Sequence, residues 1–311
     1  MAGLELPDAV RRRALASGAA GEQWLRELPG VVAALASQWG LTVGATMGGG
    51  TAALVAAVTT ARGEAAVLKV AMPTEIDGPD TFRRSVTAFR LADGQGCARL
   101  LAHDDARSAL LLERLGPNLV DLGFSIDQQL VGICAALRQL WRPVLDPSGL
   151  QPGDDKAHWL ADHIVRWWEE LDRPCAERTV ATVLGYAEER AAAYDPERSV
   201  LAHGDAHGWN TLEAAPGEYK LVDPEGLLSE RAHDLAVPMR ESHEELLAGD
   251  PLALGIARAH RLRELTDVPV EPIWQWGSIE RVATGLNCLT LDEEQGHGFL
   301  AVADRWAEGA P

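Results

Sequence analysis

Cysteine is scarce in this chain, at four of 311 residues. Cys97, Cys134, Cys175 and Cys288 lie far apart and form no C-x-x-C pair, which excludes a disulfide framework and a thiolate zinc site and implies reduced thiols. Positive charge is also in deficit: 28 Lys plus Arg face 46 Asp plus Glu, a formal net charge of −18. Such a chain repels a phosphate backbone, which argues against nucleic acid as a partner, whereas a cationic small molecule would be drawn in. The same acidity also serves solubility. Long apolar runs are missing: no stretch reaches 18 uninterrupted apolar residues, and segment 1–13 mixes acids with an Arg triplet where an export signal would carry an apolar core. There is no internal repeat and no low-complexity tract. The expectation is a cytoplasmic chain that neither crosses nor binds a membrane and has no obligate protein partner.

What is present is a hydrophobic content of 47%, ample for a core in one large domain or two small ones. From residue 41 to about 115, short apolar runs separated by turn signals read as strands. Runs 41–47 and 52–60 flank a glycine cluster, and an A-R-G-E turn at 61–64 leads into 65–70. Runs 97–103 and 108–115 would complete a five-stranded sheet, with 81–92 as a helix that lays Phe82, Val86 and Phe89 against it. After Gly116-Pro117-Asn118 the apolar period changes from 2 to 3.6. Ile126, Leu130, Ile133, Leu137 and Leu140 share one helical face, and further helices are predicted over 158–171, 179–193, 229–247, 252–265 and 273–291. Segment 199–225 interrupts them with a loop, a Pro216-Gly217 turn and a strand at 219–222. The fold class expected is α+β in two lobes: a small antiparallel-sheet lobe over 1–115 and a larger, mainly helical lobe over 116–311.

The strongest chemical signal is H-G-D-A-H-G-W-N at 203–210, followed by Asp223. Phosphoryl transfer asks little covalent work of a protein. It needs a carboxylate to accept the hydroxyl proton and oxygen ligands to hold Mg²⁺ against the phosphates. Asp205 supplies the first, and Asn210 with Asp223 supplies the second, because a chain reversal at Pro216-Gly217 returns Asp223 beside Asn210. The segment resembles the catalytic loop and metal-binding aspartate of the aminoglycoside phosphotransferase family, itself similar to the H-R-D-x-x-x-x-N and D-F-G elements of protein kinases. Asp223-Pro224-Glu225-Gly226 stands where D-F-G would, and His207 favours the small-molecule branch. His203 and His207 are expected to brace the loop by hydrogen bonds.

The resemblance implies a two-lobed protein-kinase-like fold, an ATP donor with GTP as the alternative, and Mg²⁺. Lys69, in the A-V-L-K-V strand at 66–70, resembles the phosphate-binding lysine, and a lone Lys in an apolar strand is too costly unless it projects into a polar cleft. Gly48, Gly49 and Gly50 would cover the phosphates with backbone N–H groups, although they match neither G-x-G-x-x-G nor G-x-x-x-x-G-K-[ST]. The L-L-L-E-R-L-G segment at 110–116 resembles the hinge, with adenine on the backbone of Leu112 and Arg114. The likeness spans nearly the whole chain and is strongest to the branch that phosphorylates streptomycin and includes hydroxyurea kinases, supported by D-G-Q-G at 93–96 and E-R-V-A-T-G-L at 280–286. The acceptor is then a hydroxylated, cationic small molecule, for which Glu280, Asp292, Glu293 and Glu294 are candidate contacts, although a solvated surface charge is the plainer reading of each. Asp234 is expected to cap or anchor a helix near the metal loop.

One departure stands out. Where the family carries a helix Glu that pairs with the phosphate-binding Lys, this chain has Ser85, with Glu75 and Asp80 as alternatives. That opens a catalytically weak nucleotide-binding pseudokinase as a rival. A second rival is a metal-dependent hydrolase, since His203, Asp205 and His207 alternate and would share one face of a strand. A protein kinase is disfavoured because no A-P-E-type segment follows Asp223. The other acceptors the same signature admits are a sugar, a nucleoside antibiotic or a housekeeping metabolite.

Overall fold

A computed structural model describes residues 5–48, 52–72, 78–290 and 292–311, and the side chains of 78 and 79 are outside that description. Two helices not anticipated from the sequence come first, α1 (Asp8–Ala16) and α2 (Gly18–Trp39). Trp24, Leu28, Val32 and Leu35 lie on the buried face of α2, and the Trp24 indole donates to the Ala71 carbonyl at 3.0 Å. That periodicity was present in the sequence. Glycine, alanine and the internal Pro29 dilute it, so the segment does not announce itself as a helix.

The expected sheet follows: β1 (Thr42–Thr46), β2 (Ala53–Thr59), β3 (Ala65–Ala71), β4 (Leu100–Asp104) and β5 (Ala109–Glu113), all antiparallel in the order β1-β2-β3-β5-β4. Side chains alternate across a strand, so the sheet has two faces with different duties. Leu54, Val58, Ala66, Leu68, Val70 and Leu111 pack with α1 and α2. Lys69 is on the other face, with its register partner Leu110 opposite it on β5 and Val67 two residues back. Leu110 and Leu112 belong instead to the core shared with α3 (Gly78–Ala92), whose Val86, Ala88 and Phe89 are buried. Period 2 alone therefore turns Lys69 away from the N-terminal helices and toward the rest of the molecule.

The second lobe is built from α4 (Ile126–Leu140), β6 (Gln151–Pro152), α5 (Gly153–Glu170), α6 (Glu177–Ala192), β7 (Val200–Ala202), β8 (Thr211–Ala215), β9 (Glu218–Leu221), β10 (Leu227–Ser229), α7 (Arg231–Arg240), α8 (His243–Leu247), α9 (Pro251–Thr266), α10 (Val270–Leu289) and α11 (Glu293–Trp306). Ser125 and Gln128 form a reciprocal capping box that starts α4. The helix expected over 229–247 is two: α7 stops at Arg240, and Ser242, at φ 59°, turns the chain before α8. Strand β10 pairs with β7 and β6 in a small sheet whose short strands carried too little period to be read. Helix α11 was also missed, although Asp292 caps it by accepting from the Gln295 N–H at 3.1 Å. Helix α10 is buried nearly all round, against α5, α6, α7, α9 and α11. No helix among the described residues is long and apolar enough to cross a membrane.

Two chain reversals frame the 203–210 loop. The β8–β9 hairpin turns at Pro216-Gly217 as expected, and Gly226 ends the D-P-E-G stretch against α3. Both glycines have positive φ, 79° and 78°. A Cβ at Gly217 would meet nothing within 4 Å, whereas one at Gly226 would lie 2.4 Å from the Arg84 carbonyl oxygen. Gly217→Ala should therefore lose only the backbone penalty, about 1 kcal/mol, and Gly226→Ala about 3 kcal/mol because helix backbone must also shift. Chemical denaturation of the two variants checks the order.

Candidate active site

The loop between β7 and β8 is held by its main chain. Asp234, on α7 and fully buried, accepts from the His203 N–H at 3.0 Å, the Gly204 N–H at 2.7 Å and the Trp141 indole N–H at 2.8 Å. Burial pushes its carboxyl above the usual range, and the N–H groups aimed at it oppose that. His203 completes the brace: its Nε2 meets the Val222 carbonyl at 2.8 Å, and its Nδ1 meets the Asp205 N–H at 3.2 Å. One ring nitrogen donates and the other accepts, so His203 is the neutral Nε2–H tautomer, consistent with burial lowering its pKa. Both nitrogens are spent on the loop. That removes the zinc reading of 203, 205 and 207, and no cluster of three metal-ligating side chains occurs among the described residues.

Asp205 is half-buried and multiply held. Its Oδ2 receives the Asn210 amide N–H at 3.1 Å and faces His207 Nε2 at 3.3 Å, while Oδ1 receives an Arg240 N–H at 2.7 Å. Burial alone would push the Asp205 carboxyl up, but His207 and Arg240 hold it well below the usual carboxylate range. His207 shifts the other way: burial opposes its charge, and Asp205 more than offsets this to raise its pKa.

Asn210 and Asp223 meet through the hairpin. Thr211 is opposite Leu221, and the Val222 N–H donates to the Asn210 carbonyl at 2.9 Å, which puts Asp223 next to Asn210 across the ladder. The Asn210 amide nitrogen is committed to Asp205, to the backbone oxygen at 3.0 Å and to Oδ2 at 3.1 Å. Its Oδ1 accepts no hydrogen bond among the described residues and could serve as a cation ligand. Asp223 follows directly on that pairing, so an amide and a carboxylate, oxygen donors of the kind Mg²⁺ takes, are carried at neighbouring positions of the hairpin. Asp223 has φ 63°, a left-handed conformation that aspartate tolerates, and its Oδ1 lies 2.5 Å from Lys69 Nζ.

Lys69 thus has its acid, supplied by the D-P-E-G loop. Ser85 is on α3 and half-buried, and the only acid of that helix, Asp80, is exposed and 3.7 Å from Arg83. Glu75, Gly49 and Gly50 lie outside the described residues. Gly48 is exposed just after β1. Leu112 sits inside β5, paired with Val67 on one side and Leu100 on the other, so its backbone is engaged by the sheet. Arg114 follows the last residue of β5, is exposed, and reaches Met47 Sδ near the glycine turn at 2.9 Å.

The acids proposed for the acceptor separate. Asp292 caps α11, and the Glu293 side chain is 83% exposed, so both are peripheral surface charges. Glu280 is no solvated charge. It is 5% exposed on α10, with its Oε2 3.2 Å from Arg240 and its Oε1 3.8 Å from His233. A buried carboxylate is tolerable only with a partner, and that partner lies 40 residues away in sequence, invisible to local pattern. Sequence reading also missed Arg240, Glu241 and the Lys156–Glu225 pair at 2.9 Å. A signal existed for Lys156: the chain holds three lysines, at 69, 156 and 220, and the third pairs with Glu113 at 2.5 Å. Trp209, half-exposed, is the one large apolar side chain the loop leaves open.

With this geometry in hand, comparison with known proteins is informative. The family model for aminoglycoside/hydroxyurea antibiotic resistance kinases matches residues 38–277. A streptomycin 6-kinase of Streptomyces glaucescens is 28% identical over 253 residues, 79% of this chain and 78% of the relative. A hydroxyurea phosphotransferase of Kitasatospora aureofaciens is 32% identical over 220 residues, 70% of this chain and 62% of the relative. Among solved structures, a thermostable mutant of aminoglycoside phosphotransferase APH(4)-Ia in ternary complex with ADP and hygromycin B superposes with a TM-score of 0.58 at 17% identity, covering 89% of this chain and 98% of that one. At that identity the likeness establishes the two-lobed, protein-kinase-like fold.

His233, buried beside the site and edge-on to Trp276, gives a pH signature. Burial lowers its pKa to about 3, helped by the charges of Lys156 and Arg240. An unfolded histidine takes its proton near pH 6.5 and the folded one only near 3, so the unfolded state binds more protons between these values and stability falls as pH drops through that window. The slope from this group approaches about 1.4 kcal/mol per pH unit. Denaturation midpoints measured from pH 7 to 4 should decline less steeply in His233→Gln.

Proposed function

The chain belongs to the aminoglycoside/hydroxyurea antibiotic resistance kinase family, and from that premise we propose that it transfers the γ-phosphate of ATP to a hydroxyl of a small antibiotic, with a streptomycin-like aminoglycoside as first candidate. The observation that carries the reading is the convergence of Lys69 on Asp223 at 2.5 Å with that of Asn210 on Asp205 at 3.1 Å. Two lobes thereby contribute to one cleft, the sheet side within 1–115 and the helical side within 116–311. Lys69 meets the α- and β-phosphates, the backbone after β5 around Arg114 meets adenine, and Gly48 to Gly50 cover the triphosphate. Asn210 and Asp223 would hold Mg²⁺, which neutralises phosphate charge when bound. Asp205 orients the acceptor hydroxyl and takes its proton, from a position fixed by Asn210, His207 and Arg240.

Support for a cationic acceptor comes from the net charge of −18 and from half-exposed acids, Glu225 and Glu241, flanking Asp205's partners. The acidic surface opposes ATP binding, and Lys69 counters that locally. Four cysteines without a disulfide and dependence on ATP fit the cytoplasm.

The test is phosphate transfer by the purified chain with Mg-ATP or Mg-GTP against streptomycin, hydroxyurea, hygromycin, a nucleoside antibiotic and simple sugars, with mass spectrometry locating the new phosphate. Asp205→Ala should lower transfer at least about a hundredfold while retaining nucleotide affinity. Lys69→Ala should weaken nucleotide binding itself. Undiminished transfer by Asp205→Ala would sink the assignment.

A further inference from the structure

Arg240, the last residue of α7, spends each edge of its guanidinium on a different carboxylate. Its Nη2 donates to Asp205 Oδ1 at 2.7 Å, its Nη1 to Glu280 Oε2 at 3.2 Å and its Nε to Glu241 Oε1 at 3.0 Å. The side chain is 14% exposed, and Glu280, at 6%, is the buried anchor contributed by α10. Such a fork, pinned on two sides, has little freedom left to swing.

The consequence falls on Asp205. A carboxylate turns easily about its last torsion, which has only broad two-fold preferences. Asn210 and His207 restrain one oxygen of Asp205, and Arg240 restrains the other. An ionised carboxylate offers about four lone-pair directions. On Oδ2 the Asn210 amide takes one and the His207 ring, 3.3 Å away, covers the other, while Arg240 takes one on Oδ1, so the open direction lies on Oδ1.

We propose that Arg240, anchored by Glu280, is a positioning residue that holds Asp205 so that the free lone pair of Oδ1 faces the acceptor hydroxyl. The inference rests on the kinase reading. In the step it serves, the acceptor oxygen bonds to the γ-phosphorus as the bond from that phosphorus to the β–γ bridging oxygen breaks. The hydroxyl proton goes to Asp205 Oδ1 and ADP leaves. A mere tie between α7 and α10 would need the Glu280 contact and no contact to Asp205. Arg240 touches none of Lys69, Asn210 and Asp223, so its effect should fall on turnover and spare the nucleotide.

The experiment uses the full chain, ATP and the acceptor that the panel identifies, beginning with streptomycin. Arg240→Ala should lower kcat about a hundredfold, as a misdirected reacting group does, with the KM for ATP within about twofold of the parent. Added methylguanidinium should restore part of that kcat in Arg240→Ala and none in Asp205→Ala. Glu280→Gln, nearly isosteric, should lower kcat about tenfold by loosening the anchor, and Arg240→Lys should fall between parent and Ala because an ammonium cannot grip both carboxylates in the plane. If Arg240→Ala does not fold, the Lys and Gln variants carry the comparison. Parent-like kcat in Arg240→Ala, or in both Arg240→Lys and Glu280→Gln, overturns the proposal and leaves the kinase reading intact. A loss of kcat matched by equal loss of folded, ATP-binding protein and unmoved by methylguanidinium overturns it too. An unaltered chain that phosphorylates nothing in the panel fails earlier, and the reading and the inference fall together.

Discussion

A buried carboxylate carries this site. Asp234 has no access to water, and its charge is tolerable only because three N–H groups aim at it, from His203, Gly204 and Trp141. Two of those donors are the main chain of the loop that presents Asp205, so the loop cannot relax without stranding an ion in the core. The same helix then acts twice. Asp234 and Arg240 are six residues apart on α7, about 9 Å along its axis; the first grips the loop by its backbone and the second grips Asp205 by its side chain.

The two faces of the N-terminal sheet divide labour in a comparable way. One face is closed by α1 and α2 and holds the sheet rigid. The other gives Lys69 to the cleft, where Asp223 meets it from the hairpin of the second lobe. The acid that the family resemblance led one to expect on a helix is instead drawn from the D-P-E-G loop. Lys69 and Asp223 thereby tie the sheet to the hairpin through one ion pair.

How much of this was legible depended on the range over which each signal is written. Lys69 could be read because a single strand of period 2 makes a buried cation costly, and residues 203–210 because their chemistry is contiguous. The role of Glu280 could not: seen locally it is a charge in a helix, and only Arg240, brought near by the packing of α7 on α10, makes its burial affordable. Helix α10 was read from its apolar run but not its burial on every side, whereas α2 is diluted by small residues, so amphipathic period fails to announce it. The split between α7 and α8 rests on one left-handed serine, which no propensity scale foretells.

The distribution of lysine has a practical consequence. All three lysines are engaged with acids around the cleft, at 69, 156 and 220, and the remaining cations are arginines. Apart from the terminal amine, an acylating dye, an aldehyde cross-linker or an activated resin has no primary amine to attack on the outer surface. Apart from that terminus, labels of that class would find only these three paired amines, and coupling for immobilised assays is better directed at the half-buried Cys288 or an appended tag.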